Sequence, residues 1–597
     1  MGLLLLGGAA LGIAEQWQTY PRTGLQSFLG LDDTSAPTQV QDGRAQDIRN
    51  ILLDISRSIR TRYGLSRVGS TLDTFNETFP AITGLYYAKF SSGTERIIAT
   101  ISNRFHFLNG TTWTEVYTPT TYITAGQNNQ FVFTTALDNI IGTNDVNSLI
   151  QYNGSTVSQV SFSGLTNPIT RAKAVIFFKN YLIFANTTEG GTARPSRIRW
   201  SNVGTINTWT DADFVDIAAL AGQEITALAE LYDNLYVFFT DSLYKVSLVG
   251  GADTFQIAKV TDDIGCVAKN GVQTITLTNS QRGLAFLDKD RKVYFFNGFT
   301  AQEISLLIQT VLQTLDPNRL QYAVSADTGT DYLLCATATG TFAAGTINNL
   351  CLDFQYQIGE WTKHTNIHAN AMAKVFDANG KAQVYLGSDK AFVYQYANVE
   401  QRADVGSLSG IVISTGRRQT DTESSIQSIE SDSFGLVTGA MAGAPIVLTG
   451  GAGSGQTGIV VDNGQTWFVV SPAFTTIPDS TTTFEVGAID SVYTTKWYDM
   501  GCPFCLKRFG EVYFWADSDV TSSTAISYGT DYNADISTQS IALTSSATDA
   551  TWGSTTFGTP LWGTLTTVFR PVKTDGQGRF YKVTWDEDDP NEVFHLY

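Results

Sequence analysis

This chain is short of the residues that most enzymes and metal proteins work with. Four histidines (His106, His364, His368 and His595), five cysteines and four methionines are spread over 597 residues, and charged residues make up only 16%. The cysteines (Cys266, Cys335, Cys351, Cys502 and Cys505) are too few and too scattered for a disulfide framework, and their odd number leaves one thiol unpaired in a monomer. Cys502-Pro-Phe-Cys505 lacks two further ligands for structural zinc and the βαβ setting of a redox motif, so buried or half-buried thiols are expected there, with a labile disulfide or redox role as the alternative. His364 and His368 stand four apart without the Glu of a zincin, and no Gly-x-Ser-x-Gly elbow occurs. The 38 Lys and Arg against 56 Asp and Glu give a net charge of −18, which argues against direct capture of nucleic-acid phosphate, since that needs clustered Lys and Arg. The N-terminal apolar run, Leu3 to Ile13, is too short to span a bilayer, and no basic residue precedes it as in a signal peptide. No stable membrane insertion is expected. Leu3, Leu4, Leu5 and Leu6 become candidates for docking on a partner, with packing on the chain's own fold as the alternative.

What the chain does have is a repeated phrase, an alternating aromatic strand that runs into a tight glycine turn. The clearest copies are RFHFLNGTTW (Arg104 to Trp113), SLIQYNGSTV (Ser148 to Val157) and KVYFFNGFTA (Lys292 to Ala301), with a looser one in SLYKVSLVGGADTF (Ser242 to Phe255). Gly110, Gly154, Gly251 and Gly298 stand 44, 97 and 47 residues apart, and the 97 is close to two periods. The skipped copy is RIRWSNVGTINTW (Arg197 to Trp209), and weaker ones are FQYQIGEWTKH (Phe354 to His364) and FVYQYANVEQ (Phe392 to Gln401). A period of roughly 40–50 residues is that of one four-stranded propeller blade. Asn-Gly suits the hairpin because a type I′ turn needs positive φ at both central residues. Upstream apolar runs such as Glu95 to Ser102, Asn234 to Asp241 and Arg282 to Asp290 read as inner strands covered on both faces. The prediction is an all-β chain with a propeller of six to eight blades, seven by count.

Composition then divides the chain into an N-terminal arm and docking segment (1–83), the propeller (84–400), a Gly/Ser/Thr-rich β insertion (401–490) and a C-terminal β domain (491–597), the last two sandwich-like. In the arm, Ile48, Ile51, Leu52 and Ile55 stand at helical spacing, which makes them partner-docking candidates on a helix or on an extended strand. A second helix is expected over Ala301 to Leu315, ended by Asp316-Pro317. Gly453-Ser-Gly455-Gln-Thr-Gly458 matches a dinucleotide fingerprint in letters only, since a hairpin rather than a helix follows. Gly453, Gly455 and Gly458 instead mark a flexible hairpin tip and a candidate gating loop. No catalytic residue, cofactor or metal ligand set is expected. Asp262-Asp263 and the Asp586-Glu587-Asp588-Asp589 cluster read as solvated turns.

The order of these parts resembles the tail nozzle and packaged-DNA stabilisation proteins of short-tailed bacteriophages. The resemblance is carried by DGRAQDIRNILLDISRSIRTRYG (Asp42 to Gly64), by RIRWSNVGTINTWTDADFVDI (Arg197 to Ile217) with ITALAELYDNLYVFFTDSLYKV (Ile225 to Val246), and by TTKWYDMGCPFCLKRFGEVYFWAD (Thr494 to Asp517). It implies a non-enzymatic homohexameric ring in the virion, below a portal and adaptor ring and beside tail fibre proteins. That ring would hold packaged double-stranded DNA and conduct it during ejection. The other classes compatible with a propeller are a glycan-binding or glycan-cleaving protein and a receptor-binding tail protein.

Overall fold

The computed structural model describes residues 28–596, apart from residue 71 and segments 73–79, 117–121, 218–221, 251–253, 340–346, 397–402, 406–407, 417–426, 432–437, 465, 518–522, 534–536, 543–566 and 588–594. Leu3 to Leu6 lie outside the described residues.

The repeats form a propeller of seven blades. Six are separate four-stranded sheets, and the seventh is the first four strands of a nine-stranded sheet. Blade 1 spans Ile82 to Val116, blade 2 Val132 to Gln159, blade 3 Ile169 to Asp216 and blade 4 Ile225 to Thr261. Blade 5 spans Gln273 to Glu303 and blade 6 Val324 to His364. Blade 7 has three strands from Ala369 to Gln395 and takes its fourth, Ser66–Arg67, from the N-terminal arm. Borrowing that strand ties the start of the propeller to its end. The repeated phrases supply the third strands of the blades, except that Phe354 to His364 holds only the end of blade 6's third strand and all of its fourth, and Gly110, Gly154 and Gly298 turn with φ of 62°, 92° and 96°. The apolar upstream runs are second strands, one place further from the axis than expected. They are covered on both faces by neighbouring blades, as Leu235 to Phe239 and Leu284 to Leu287 are.

A separate apolar core fills each gap between successive blades. One joins blades 1 and 2 through Ile98, Phe105, Ile140 and Tyr152. The circle closes where Ile82 and Ala99 of blade 1 meet Ala371 and Val393 of blade 7. The core between blades 5 and 6 is larger than the rest, because it also takes in the arm and the C-terminal domain.

The arm is extended, not helical. Ala45–Arg49 pairs in parallel with the last strand of blade 6 (Arg49 opposite Lys363) and antiparallel with Ser491–Thr495 (Ile48 opposite Tyr493). Ile51–Leu53 and Ile59–Thr61 form a hairpin in a five-stranded sheet with Lys507–Asp517, Thr567–Gly578 and His595–Leu596. Two open sheet edges offer this segment more backbone partners than an isolated helix would have, and tertiary pairing overrides the 3.6-residue spacing. Residues 301–315 also differ from the helix expected. Ala301–Glu303 is the fourth strand of blade 5, Leu306–Ile308 is a 3₁₀ turn and only Gln309–Gln313 is α-helical. Asp33 of the arm caps that short helix, accepting from Thr310 N at 3.1 Å and Val311 N at 2.7 Å.

Of the two regions expected to be sandwich-like, the first is a closed barrel of six strands between Leu408 and Val486. Ile446, Leu448, Val460, Phe468 and Phe484 fill it. The second is a sandwich, with the five-stranded sheet packed on the far part of the nine-stranded one through Phe514 against Trp585 (ring centroids 5.2 Å) and Phe509 against Tyr581 (4.4 Å).

Candidate functional site

The docking candidates in the arm face inward. Ile48 and Ile51 are fully buried in the core between blade 6 and the sandwich, and Leu52 is buried beside them. Only Ile55, at the tip of the hairpin, is exposed, at 78%. The described part of the arm therefore docks on its own chain, and Ile48, Ile51 and Leu52 offer nothing to a partner. Polar contacts hold it there as well. Arg44 grips Glu360 of blade 6 through two hydrogen bonds (2.6 and 3.2 Å), and Gly30 N donates to the same carboxylate at 3.2 Å.

The candidate gating loop is the turn of a barrel hairpin, and it is tied down. Gln456 Oε1 accepts from Thr475 N (2.7 Å) and Thr476 N (3.1 Å), while its Nε2 donates to Thr476 O (3.0 Å). Thr482 Oγ1 donates to Ala452 O at 2.7 Å. Gly453 and Gly455 have φ of 79° and 85°, which an L side chain adopts only with strain, and Gly458 sits in the following strand. Glycine here serves turn geometry, so the loop moves only if this bonding is broken.

A polar cluster missed in the sequence lies on the propeller axis. Residues near the start of the innermost strands meet there. Gln130 Nε2 donates to Tyr322 O (2.8 Å) and to Asn370 O and Oδ1 (both 3.0 Å), reaching from blade 2 towards blades 6 and 7. Asn370 Nδ2 passes the chain on to Ile82 O at 2.8 Å. Beside this lacing stand charged groups from blades 2 to 5. Lys173 Nζ is 2.7 Å from Glu224, Asn186 Nδ2 donates to Glu224 at 3.0 Å, and Lys269 Nζ donates to Asn144 O at 3.2 Å. Burial pulls the Lys269 ammonium down to about 8 against the opposing pull of Asp145, and burial raises Asp145 in turn. Two ammonium groups facing two carboxylates can hold a small polar molecule by donor and acceptor together. Each comes from a different blade, so no local motif announced them. The side-chain lacing also leaves no bore for a nucleic-acid duplex along this axis.

A second polar cluster is buried between blades 6 and 7. His364 Nε2 lies 3.0 Å from Asp353 Oδ2 and 3.0 Å from the Tyr396 hydroxyl, and all three residues are buried. Burial lifts Asp353 to about 7 and drops His364 to about 3. His368 instead faces Asp389 across 3.9 Å. Among the described residues no three His, Cys, Asp or Glu side chains are grouped to hold a metal ion, and no helix is long and apolar enough to cross a membrane. Asp262 pairs with Lys259 in its turn, and Asp586 and Glu587 end a strand. Asp588 and Asp589 lie outside the described residues.

Cys502 and Cys505 correct the expectation of buried thiols. They form a disulfide with Cα atoms 5.4 Å apart that closes a half-exposed four-residue loop. Cys266, Cys335 and Cys351 are free and buried.

No family model matches the chain, and no curated protein matches it. Solved structures match at low similarity. The extracellular domain of a putative one-component system from B. thetaiotaomicron is 11% identical, with a TM-score of 0.38, over 78% of this chain and 61% of that one. YCF48 bound to D1 peptide is 9% identical, with a TM-score of 0.33, over 57% of this chain and 96% of that one. The computationally designed Ika8 protein is 13% identical, with a TM-score of 0.33, over 56% of this chain and 100% of that one.

Proposed function

We propose that this chain is a structural protein of a bacteriophage virion, a tail nozzle whose ring retains packaged DNA and conducts it during ejection. The observation that carries the reading is the place of the segment Asp42 to Gly64. It is one of the segments that carry the resemblance to the nozzle proteins, and here it is built into blade 6 and the C-terminal sandwich at once. A wall under pressure from packed DNA needs its parts joined by continuous backbone pairing, and this arm provides it. Side-chain lacing of the propeller axis supports a reading in which the conduit runs between copies in a ring. Six copies would total 6 × 65.0 = 390 kDa and carry 6 × (−18) = −108 formal charges. An acidic wall repels the duplex and lets it slide where a basic wall would bind it.

The test is electron cryomicroscopy of particles carrying this protein. Sixfold density below the portal supports the nozzle, and threefold density would make it a receptor-binding spike. A second reading, a glycan-binding propeller, is favoured by the charged axial cluster of Lys173, Glu224, Lys269 and Asp145. A glycan array that gives a hit lost on Glu224→Gln would support it against the nozzle.

A further inference from the structure

Two of the three free cysteines stand face to face. Cys335 is on the second strand of blade 6 (Tyr332–Ala336) and Cys351 on the third (Leu350–Gln355). They are directly opposite each other in an antiparallel pairing that runs without a bulge from Tyr332 opposite Phe354 to Ala336 opposite Leu350. Residues so opposed turn their side chains to the same face, and their Cα atoms stand about 4.5 or 5.5 Å apart, depending on the phase of the ladder hydrogen bonds. Both spacings lie within the window of about 4.4–6.8 Å that a disulfide spans. The face they share is the core between blades 6 and 7, where both are fully buried with Ile367, Leu386, Phe392 and Tyr396. Burial pushes the Cys351 thiol up, and the Cys335 thiol beside it adds to the shift.

The third free thiol is out of their reach. Cys266 lies in the core between blades 4 and 5 with Phe238 and Phe286, and its Sγ donates to Ala268 O at 3.3 Å. Of the three pairings that three thiols allow, the fold therefore permits one. Burial also explains why that pair is open. A thiolate is the attacking species in disulfide exchange, and a thiol held in an apolar core rarely ionises. Oxidant reaches the pair only when blades 6 and 7 part, and reclosure brings the two Sγ atoms back together with no change of register. A bond at this place would staple the blade whose last strand carries the arm and, through the arm, the C-terminal sandwich.

We propose that Cys335 and Cys351 are a redox site that closes a cross-strand disulfide in blade 6 when the chain meets a low-molecular-weight disulfide such as oxidised glutathione. One cysteine thiolate attacks the oxidant and a glutathione thiolate leaves. The second cysteine then attacks the mixed disulfide and releases the other glutathione. One S–S bond breaks and one forms, and the two protons and two electrons lost by the cysteines end on two glutathione thiols. The pair is thus open in a reducing compartment and bridged in an oxidising one. The site is independent of the nozzle reading.

The test is a thiol count on the purified full chain. The chain is incubated with excess oxidised glutathione in urea below its unfolding transition and freed of small thiols. It is then alkylated with iodoacetamide in guanidinium chloride and mapped by peptide mass spectrometry. Untreated chain should alkylate at three cysteines and treated chain at 3 − 2 = 1, Cys266. A peptide pair joined through Cys335 and Cys351 should appear, lighter than its two parts by two hydrogens. The treated chain should also melt at a higher temperature, because the bond restrains the unfolded chain and leaves the native register as it was. Cys335→Ala should yield no joined pair and gain nothing in melting temperature from the same treatment. Three cysteines still alkylated, glutathione retained on single cysteines, a bridge to Cys266, or a lower melting temperature after bridging would each overturn the proposal.

Discussion

Arg62 and Asp404 face each other in a two-pronged ion pair, Nη1 to Oδ1 at 2.8 Å and Nη2 to Oδ2 at 2.6 Å, with both side chains only 1% exposed. One belongs to the arm and the other to the link between propeller and barrel. Asn50 Oδ1 accepts from Arg62 Nε at 3.0 Å, and Asp404 Oδ1 also accepts from Leu65 N at 2.9 Å. The pair is the point where three parts of the chain are locked. Removing one partner strands a buried charge, so Arg62→Ala or Asp404→Ala should each cost about 3–5 kcal/mol in denaturant unfolding. Arg62→Met with Asp404→Leu should cost less than either single change. If the double change costs the sum of the two, the pair is not acting as a unit.

The arm gives a sharper contrast. Ile51→Ala empties a fully buried site and should destabilise by about 2–4 kcal/mol. Ile55→Ala, at the exposed tip of the same hairpin, should change stability by less than about 0.5 kcal/mol. Thermal melts of the two variants decide whether the arm docks on its own chain as described here, and similar melts would contradict it.

Lys269 sets a pH dependence with a definite sign. Its folded value of about 8 lies below its ordinary 10.5, so between those values the unfolded chain binds more protons and this group's contribution to stability rises with pH. Lys269→Met should therefore gain stability at pH 7, on the order of 1 kcal/mol or more. That gain should shrink as pH climbs from about 8 towards 10.5. Unfolding curves across the range whose difference stays constant would show that burial does not depress this amine.

Gln456 is the brace of the barrel turn. Gln456→Ala removes the acceptor for two backbone N–H groups and should cost about 1–2 kcal/mol. Hydrogen exchange at 451–456 and 475–476 should speed up while the blades keep their protection. Unchanged exchange at those amides would mean that the turn is held by other contacts.

Much of the propeller was legible because its signals are local. Asn109-Gly110, Asn153-Gly154 and Asn297-Gly298 mark turns wherever they stand, and each strand meets its hairpin neighbour a few residues away. The seven-blade count followed from that spacing alone. What the sequence could not disclose rests on pairing between distant residues. The fourth strand of blade 7 lies more than 300 residues upstream of the strand it joins, as Tyr394 opposite Arg67 shows. Nothing near Ile48 reveals that Tyr493 is its partner, so helical spacing and strand burial fit the arm equally well until the sheet edges are in place. The axial cluster collects Asn144, Lys173, Glu224 and Lys269 from separate blades, and only closure of the circle brings them together. Cys502 and Cys505 show the same division at short range. Spacing allows a disulfide, but the carbonyls of their own loop and of Arg579, gathered around Lys507, decide that the loop turns outward. Local turn chemistry is written in consecutive residues, whereas burial and charge pairing depend on which surfaces the completed fold brings into contact.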